Sequence, residues 1–175
     1  DTLRDFAPVT KLGDATLILV AHPSVPAKNL TELVSLKKPF SYGTAGTGST
    51  PHLAGELLAQ RTGIELTHVP YKGGGQAMGD VVGGQIPLVF TAIATAQQFV
   101  RSGKLKGLGV SSARRSGSLP DVPTFVESGL DGFVVDSWVG ILAPAKTPPP
   151  VVGRLQKEIA AVLAEPETRE RYATL

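Results

Sequence analysis

The stretch that decides the fold runs Phe40-Ser41-Tyr42-Gly43-Thr44-Ala45-Gly46-Thr47-Gly48-Ser49-Thr50-Pro51. Its first four residues predict a short strand. Thr50-Pro51 predicts the start of a helix, because a proline in the first helical turn loses no hydrogen bond. Gly63 is expected to end this helix, and its buried face is expected to consist of Leu53, Ala54, Leu57 and Leu58.

The same alternation of strands and helices extends to both sides. Residues 17–21 are a continuous apolar run, typical of a strand buried on both faces, and Asn29 is placed to cap the helix that follows. Further strands are expected at residues 66–69, 87–90, 105–110 and 134–142, and further helices at 76–82, 94–102, 123–128, after Pro148 and after Pro166. This order predicts an α/β fold with a mainly parallel sheet.

Composition excludes several classes of protein. The chain has 175 residues, of which 42% are hydrophobic and 18% charged, with a net charge of +2, so a disordered chain, a coiled coil or a nucleic-acid-binding protein is not expected. The absence of cysteine excludes disulfides and thiolate chemistry. The three histidines are far apart in sequence and predict no metal site. No apolar run is long enough for a membrane span, and no signal peptide opens the chain.

Two segments are expected to cross between lobes, residues 9–15 and residues 131–138. We therefore expect residues 1–14 to hold part of a first lobe and a crossing strand, residues 15–135 to form a complete second lobe, and residues 136–175 to return to the first lobe. The outer pieces are too short to bury a core alone.

The glycine-rich loop at residues 43–51 allows more than one interpretation. It is not a P-loop, because Ser49 stands where lysine is required, and it is not a dinucleotide fingerprint, because Pro51 replaces the third glycine. It fits an anion cradle, in which free backbone amides and the hydroxyls of Thr47, Ser49 and Thr50 face a ligand at a helix N-terminus. A plain turn with a Ser/Thr N-cap fits equally well.

Two further loops follow neighbouring strands and are expected at the same edge of the sheet. The first contains Tyr71, Lys72 and Gly73, and the second contains Thr91 and Ala92. Catalysis is poorly supported, since Ser49 and His52 lie in no nucleophile elbow and the sequence places no carboxylate beside His52. An edge of hydroxyls and amides favours binding over chemistry.

Five motifs stand in an order that resembles one family, the receptors of tripartite tricarboxylate transporters, or Bug-type periplasmic solute-binding proteins. They are Asp5-Phe6-Ala7-Pro8-Val9, Gly43-Thr44-Ala45-Gly46-Thr47-Gly48-Ser49-Thr50-Pro51-His52-Leu53-Ala54-Gly55-Glu56-Leu57, Val69-Pro70-Tyr71-Lys72-Gly73, Leu119-Pro120-Asp121-Val122-Pro123-Thr124 and Trp138-Val139-Gly140-Ile141-Leu142-Ala143-Pro144-Ala145. Together they cover most of the chain.

The resemblance implies a type II periplasmic-binding-protein fold with two lobes. It implies an exported, periplasmic protein, its signal peptide removed, that is not an enzyme, uses no cofactor and passes a small organic acid to membrane transporter subunits. By the same resemblance, the ligand contacts fall on the three loops, at Thr44, Gly46, Thr47, Gly48, Ser49, Thr50, His52, Tyr71, Lys72, Gly73, Thr91 and Ala92.

The chain departs from the family at two points. Thr91-Ala92 replaces the Asp-Asn pair of many relatives, which argues against an amino-acid ligand and leaves the acid undefined. The chain is also short for the family, so we expect a fragment that binds weakly and whose part beyond Ser137 self-associates or is flexible. An effector-binding module of a transcription regulator, which uses the same fold, is the alternative function. An enzyme acting on an acid is a third and would have only His52 as a base.

Overall fold

The structure, a computed structural model, describes residues 1–135 and 137–174 and divides the chain into two compact units. Unit 1 joins residues 1–15 to the segment that begins at Trp138, and unit 2 is Thr16–Ser137. Asp136 and Leu175, which belong to the predicted return segment, lie outside the described residues. The assignment of these units to the two lobes of the family fold stays a prediction.

Unit 2 contains a five-stranded sheet and four helices. Its strands are β2 (Leu17–Ala21), β3 (Phe40–Thr44), β4 (Leu66–Pro70), β5 (Leu88–Ala92) and β6 (Lys106–Val110), in the spatial order β4-β3-β5-β2-β6. Its helices are α2 (Leu30–Ser35), α3 (Thr50–Thr62), α4 (Gly74–Val82) and α5 (Ile93–Arg101). The first helix of the chain, α1 (Thr2–Asp5), and the strand β1 (Phe6–Asp14) belong to unit 1.

The sheet is mainly parallel, as the sequence predicts. β3 pairs parallel with both β4 and β5, whereas β2 runs antiparallel to its neighbours β5 and β6. Four strands therefore share one direction and β2 alone is reversed. All five residues of β2 are buried, which confirms the expected strand with two covered faces.

The core of unit 2 lies on both faces of this sheet. Alternate residues of β2 point to opposite sides, because side chains of a strand alternate. Leu17 and Leu19 join a cluster with α2 and α3, and Ile18 and Val20 join a cluster with α4 and α5. The helices on the two faces thus give the layered α/β arrangement that regular alternation predicts.

Helix α3 begins and ends where the sequence predicts, but its buried face is rotated. Ser49 is its N-cap, and Gly63 ends it with a left-handed φ of 70°. Ala54 and Leu58 are buried, whereas Leu53 is 58% exposed, so the prediction for Leu53 is wrong. The reason is Gly55, which packs against the ring of the fully buried Tyr42 and turns Leu53 to solvent.

A second prediction fails between residues 123 and 128, where the expected short helix is a series of turns. Thr124 pairs with Val110 as an isolated bridge, and this extended contact uses the backbone that a helix would need. The amide of Ser128 then reaches the carbonyl of Thr124, which closes a single turn. Gly129, with a φ of 92°, ends it.

Unit 1 is built on a two-stranded antiparallel sheet of β1 with β7 (Trp138–Pro144). Two helices follow, α6 (Pro149–Ala164) and α7 (Pro166–Thr174). Among the described residues of this unit, Val9 and Ala143 are the only buried hydrophobic side chains. Helix α6 carries apolar side chains, of which Val151, Leu155 and Val162 are exposed, and none of its residues is buried.

No helix of the described residues is long and apolar enough to cross a bilayer.

Candidate functional site

The three predicted loops lie together at one edge of the unit 2 sheet. β3, β4 and β5 are parallel and end at the same edge, where Thr44 is in register with Pro70. The amide of Tyr71 donates to the carbonyl of Thr44 at 3.1 Å. A side chain at Gly46 would approach the carbonyl of Tyr71 to 3.3 Å, so glycine allows the first two loops to touch. We call this edge, with its three loops, the rim.

Helices α3, α4 and α5 all begin at the rim. None of the three carries an acidic residue in its first turn. The N-cap residues of α4 and α5 are Gly73 and Ala92, and neither gives a side-chain cap hydrogen bond. The partial positive charges of three helix N-termini therefore converge where the loops meet, and this favours an anion.

The side chains of Thr44, Ser49 and His52 hold the first loop in place. The Thr44 hydroxyl, fully buried, accepts from the amide of Gly46 at 3.2 Å. The Ser49 hydroxyl donates to the carbonyl of Gly46 at 2.7 Å and accepts from the amide of His52 at 3.4 Å. The amide of Gly48 donates to Nδ1 of His52 at 3.1 Å. The Ser/Thr N-cap interpretation therefore describes Ser49.

Thr47 and Thr50 are the members of the first loop whose polar groups are not used internally. Within the described part of the chain, neither their hydroxyls nor their amides make a hydrogen bond. Thr47 is exposed and Thr50 half-buried. Gly48 has a φ of 79°, a left-handed conformation that suits glycine and gives the loop its sharp turn. The hydroxyls and amides of these two threonines are therefore available for further hydrogen bonds.

A cluster of ionisable groups lies directly beneath this loop. The rings of His52 and His68 stack with centroids 3.9 Å apart. Nε2 of His68 is 2.7 Å from the Thr44 hydroxyl, and Nε2 of His52 is 3.7 Å from Oε1 of Glu56. His52 and His68, far apart in sequence, are therefore neighbours in space. The expectation that no carboxylate stands beside His52 is wrong, because Glu56 does.

The environment of this cluster shifts two pKa values. Burial is the main reason that the pKa of His68 is lowered, and the neighbouring His52 lowers it further, while Glu56 acts in the opposite direction. Burial raises the pKa of Tyr42 well above its usual range. The Tyr42 hydroxyl donates to Oε1 of Glu56 at 2.7 Å, which adds to that shift.

This geometry does not form a nucleophile and base. The Ser49 hydroxyl donates a hydrogen bond to the carbonyl of Gly46. It accepts one from the backbone amide of His52 and makes none with the His52 ring. Nδ1 of His52 is occupied by Gly48. Among the residues the structure describes, no three groups of metal-binding type come together.

The second and third loops differ in what they offer. The Tyr71 hydroxyl donates to Oδ2 of Asp80 at 2.7 Å, and burial with this contact raises the Tyr71 pKa to about 12, so this hydroxyl stays protonated and engaged. Lys72 is exposed. Thr91 is 96% buried, and its hydroxyl lies where a side chain on Gly74 would meet it at 3.0 Å. Ala92 contributes the uncapped start of α5.

Sequence reasoning missed His68, which supports the loop without belonging to it. The signal was present in the strand register, since His68 is opposite Tyr42 in the parallel β3–β4 pair. That register could not be read until the order of the strands was known.

Comparison with known proteins identifies the family of the chain. The model of the tripartite tricarboxylate transporter family receptor matches residues 1–174. The chain belongs to this family. A relative from Pseudomonas sp. (strain P51), named as a UPF0065 protein in the tcbD-tcbE intergenic region, is 37% identical over 98% of this chain and 53% of its own length.

The chain is also similar to solved structures. The periplasmic binding protein BugD is 37% identical with a TM-score of 0.91, over 99% of this chain and 60% of its own. An R. palustris protein with adipate is 30% identical with a TM-score of 0.94, over 99% and 59%. MatC from Rhodopseudomonas palustris with bound malate is 32% identical with a TM-score of 0.88, over 97% and 59%.

These comparisons confirm the predicted family and the periplasmic-binding-protein fold class. The family is one of receptors and not of enzymes, as the resemblance implies. The chain spans about half the length of the curated relatives it matches.

Proposed function

We propose that this protein is a periplasmic solute-binding receptor that captures a small organic acid for a tripartite tricarboxylate-type transporter. The observation that carries the proposal is the convergence of three helix N-termini, without acidic residues in their first turns, at a rim with free threonine hydroxyls. Relatives solved with adipate and with malate support a carboxylate as the ligand class. The membrane subunits of the transporter are the partners.

The proposed contacts divide into direct ones and supporting ones. Direct contacts come from the amides and hydroxyls of Thr47 and Thr50, from the uncapped amides after Gly73, and from the hydroxyl of Thr91. The amide of Ile93, the first of α5, already donates to the carbonyl of Thr16 at 2.9 Å. Lys72 adds a positive charge in solvent. Before a ligand binds, the loops are held by hydrogen bonds that engage polar groups of six residues: Thr44, Gly46, Gly48, Ser49, His52 and Tyr71.

The third loop also bears on the kind of acid. Thr91 offers a hydroxyl and Ala92 a methyl group, and neither offers the carboxylate that would recognise a ligand ammonium group. The proposed ligand is therefore a carboxylic acid without an amino group. The alternative of a regulator module has less support, since the family that matches is a receptor family.

The test is calorimetric titration with adipate and malate of the native chain and of a Thr47→Ala/Thr50→Ala variant. Each lost hydrogen bond to a charged group is worth about 1.5–3 kcal/mol, so we expect the variant to bind at least about tenfold more weakly. Thr31→Ala/Thr67→Ala removes two exposed threonines elsewhere in unit 2 and serves as the matched control. Equal affinity of the rim variant and the control would contradict the proposed role of these hydroxyls.

A further inference from the structure

Each of the two stacked imidazoles supports the first loop at a different point. His52 accepts the amide of Gly48 on Nδ1 at 3.1 Å. Nε2 of His68 lies 2.7 Å from the Thr44 hydroxyl, which in turn accepts the amide of Gly46. Each imidazole is therefore linked, directly or through Thr44, to the amide of a glycine at the rim.

Protonation of His52 reverses the role of Nδ1. A ring nitrogen accepts a hydrogen bond only when it carries no proton, and both nitrogens of an imidazolium are donors. In that state the amide of Gly48 and the Nδ1–H of His52 are two donors facing each other across about 3 Å. They need a common acceptor, and an anionic oxygen at the rim supplies one.

We propose that His52, with His68 stacked on it, couples carboxylate capture at the rim to the uptake of one proton. The ligand oxygen accepts from Gly48 and from the protonated Nδ1 of His52, and the bound state holds one more proton than the free state. Affinity for a carboxylate therefore increases as the pH falls from 8 to 6. This inference rests on the proposed carboxylate-binding function.

The groups around the pair limit the uptake to one proton. Glu56 from α3 lies 3.7 Å from Nε2 of His52 and stabilises a positive charge there. Tyr42 from β3 donates to the same carboxylate at 2.7 Å. From β4, His68 is stacked at 3.9 Å, and two imidazolium ions at that distance would repel strongly.

The experiment is calorimetric titration of the full chain with adipate and with malate between pH 6 and 8, where ordinary carboxyl groups stay ionised. Titrations in two buffers of different ionisation enthalpy count the protons taken up. We expect uptake of a substantial fraction of a proton near pH 6.5 and about fivefold tighter binding at pH 6 than at pH 8. Uptake of one full proton on binding would change the affinity by up to about tenfold for each pH unit. Binding with no proton uptake and no change of affinity would overturn the proposal.

Three variants locate the proton. His52→Asn places an amide oxygen near the position of Nδ1, so it keeps an acceptor for Gly48 but cannot titrate, and we expect binding that no longer depends on pH. His68→Gln keeps a polar partner for Thr44, and we expect the uptake to persist. His22→Asn is the control, since His22 follows Ala21 at the opposite edge of the sheet. Proton uptake that survives in His52→Asn would refute the assignment.

A measurement without ligand separates this inference from the proposed function. Nitrogen-15 NMR of the free chain follows the His52 ring and the amide of Gly48 through the same pH range. We expect the Gly48 resonance to titrate with His52 in the native chain and not to titrate in His52→Asn. Failure of both acids to bind at any pH would overturn the proposed function. A Gly48 amide resonance that does not change as His52 titrates would overturn the proton coupling.

Discussion

Units 1 and 2 use similar sequence patterns but differ in how much of the apolar surface they bury. Of the twelve large hydrophobic side chains that are exposed among the described residues, ten lie in unit 1 and only Leu53 and Val134 lie in unit 2. Helix α3 buries Ala54 and Leu58, whereas the longer α6 buries no residue. An amphipathic pattern predicts which face of a helix is apolar. Burial of that face also requires an apolar surface in the same unit against which it can pack.

The strands show the same contrast. β2 is buried along its whole length between β5 and β6, whereas β7 has only β1 as a partner and leaves Trp138 and Leu142 exposed. An isolated two-stranded sheet is marginally stable in water. The comparison therefore leads us to expect that unit 2 is stable by itself and that unit 1 is not.

The strongest test of this difference is amide hydrogen exchange. Opening free energies range from about zero in poorly packed segments to the full unfolding value in a core. We expect the amides of residues 138–163 to exchange orders of magnitude faster than those of β2 and β5, or to be protected only at concentrations where light scattering detects self-association. A rigid monomer with equal protection in both units would show that the apolar faces of unit 1 need no partner.

A matched pair of glycine substitutions sharpens the comparison. A methyl group on Gly55 would overlap the ring of Tyr42 and lie 2.6 Å from its hydroxyl oxygen. Because Tyr42 is fully buried, we expect Gly55→Ala to destabilise unit 2 by about 1–3 kcal/mol in chemical denaturation.

Gly153 in α6 is the control, since a methyl group there would meet no atom within 4 Å. Alanine is preferred over glycine within a helix by about 1 kcal/mol, so Gly153→Ala is expected to increase the helical content of unit 1 measured by circular dichroism. If Gly55→Ala were as well tolerated as Gly153→Ala, the close packing of α3 on β3 would be wrong.

The smallest expected effect is a pH dependence of the stability of unit 2. The pKa of His68 is lowered in the folded state, chiefly by burial, so the unfolded chain binds a proton more readily. The folded state therefore has its full stability above about pH 6.5 and loses part of it as the pH falls through the unfolded value towards the folded one.

We expect denaturation midpoints of the native chain to fall between pH 7.5 and 5.5 more than those of His68→Gln. His22→Gln should retain the fall, because His68 is still present. Identical slopes for the native chain and His68→Gln would contradict the burial of this imidazole.

Local sequence signals predicted the elements of unit 2 well and their contacts less well. Asn29, Pro51 and Gly63 mark helix ends through backbone chemistry that depends only on neighbouring residues, and the structure has those ends in place. Leu53 was misplaced because the orientation of α3 depends on how Gly55 meets Tyr42 on another element. The helix predicted at 123–128 likewise does not form, because Thr124 pairs with a residue distant in sequence, Val110.

The site divides in the same way. The loops at the rim follow from the parallel strand order, which alternation predicts. The stacking of His52 on His68 does not, because it joins a helix to a strand through a register that no local pattern encodes. Direct ligand roles for the individual rim residues remain predictions.

The reversed strand β2 and the residue Ser111 determine where the chain enters and leaves unit 2. The Ser111 hydroxyl accepts a hydrogen bond from the amide of Leu17 at 3.0 Å and donates to the carbonyl of Val135 at 2.9 Å, so it links the first strand of the unit to a residue near its C-terminal end. The polypeptide thus enters and leaves unit 2 at adjacent points. Because closing a long loop between adjacent ends adds little entropic cost, unit 2 has the geometry of an inserted module that evolution or a protein engineer can exchange for another without redesigning its host.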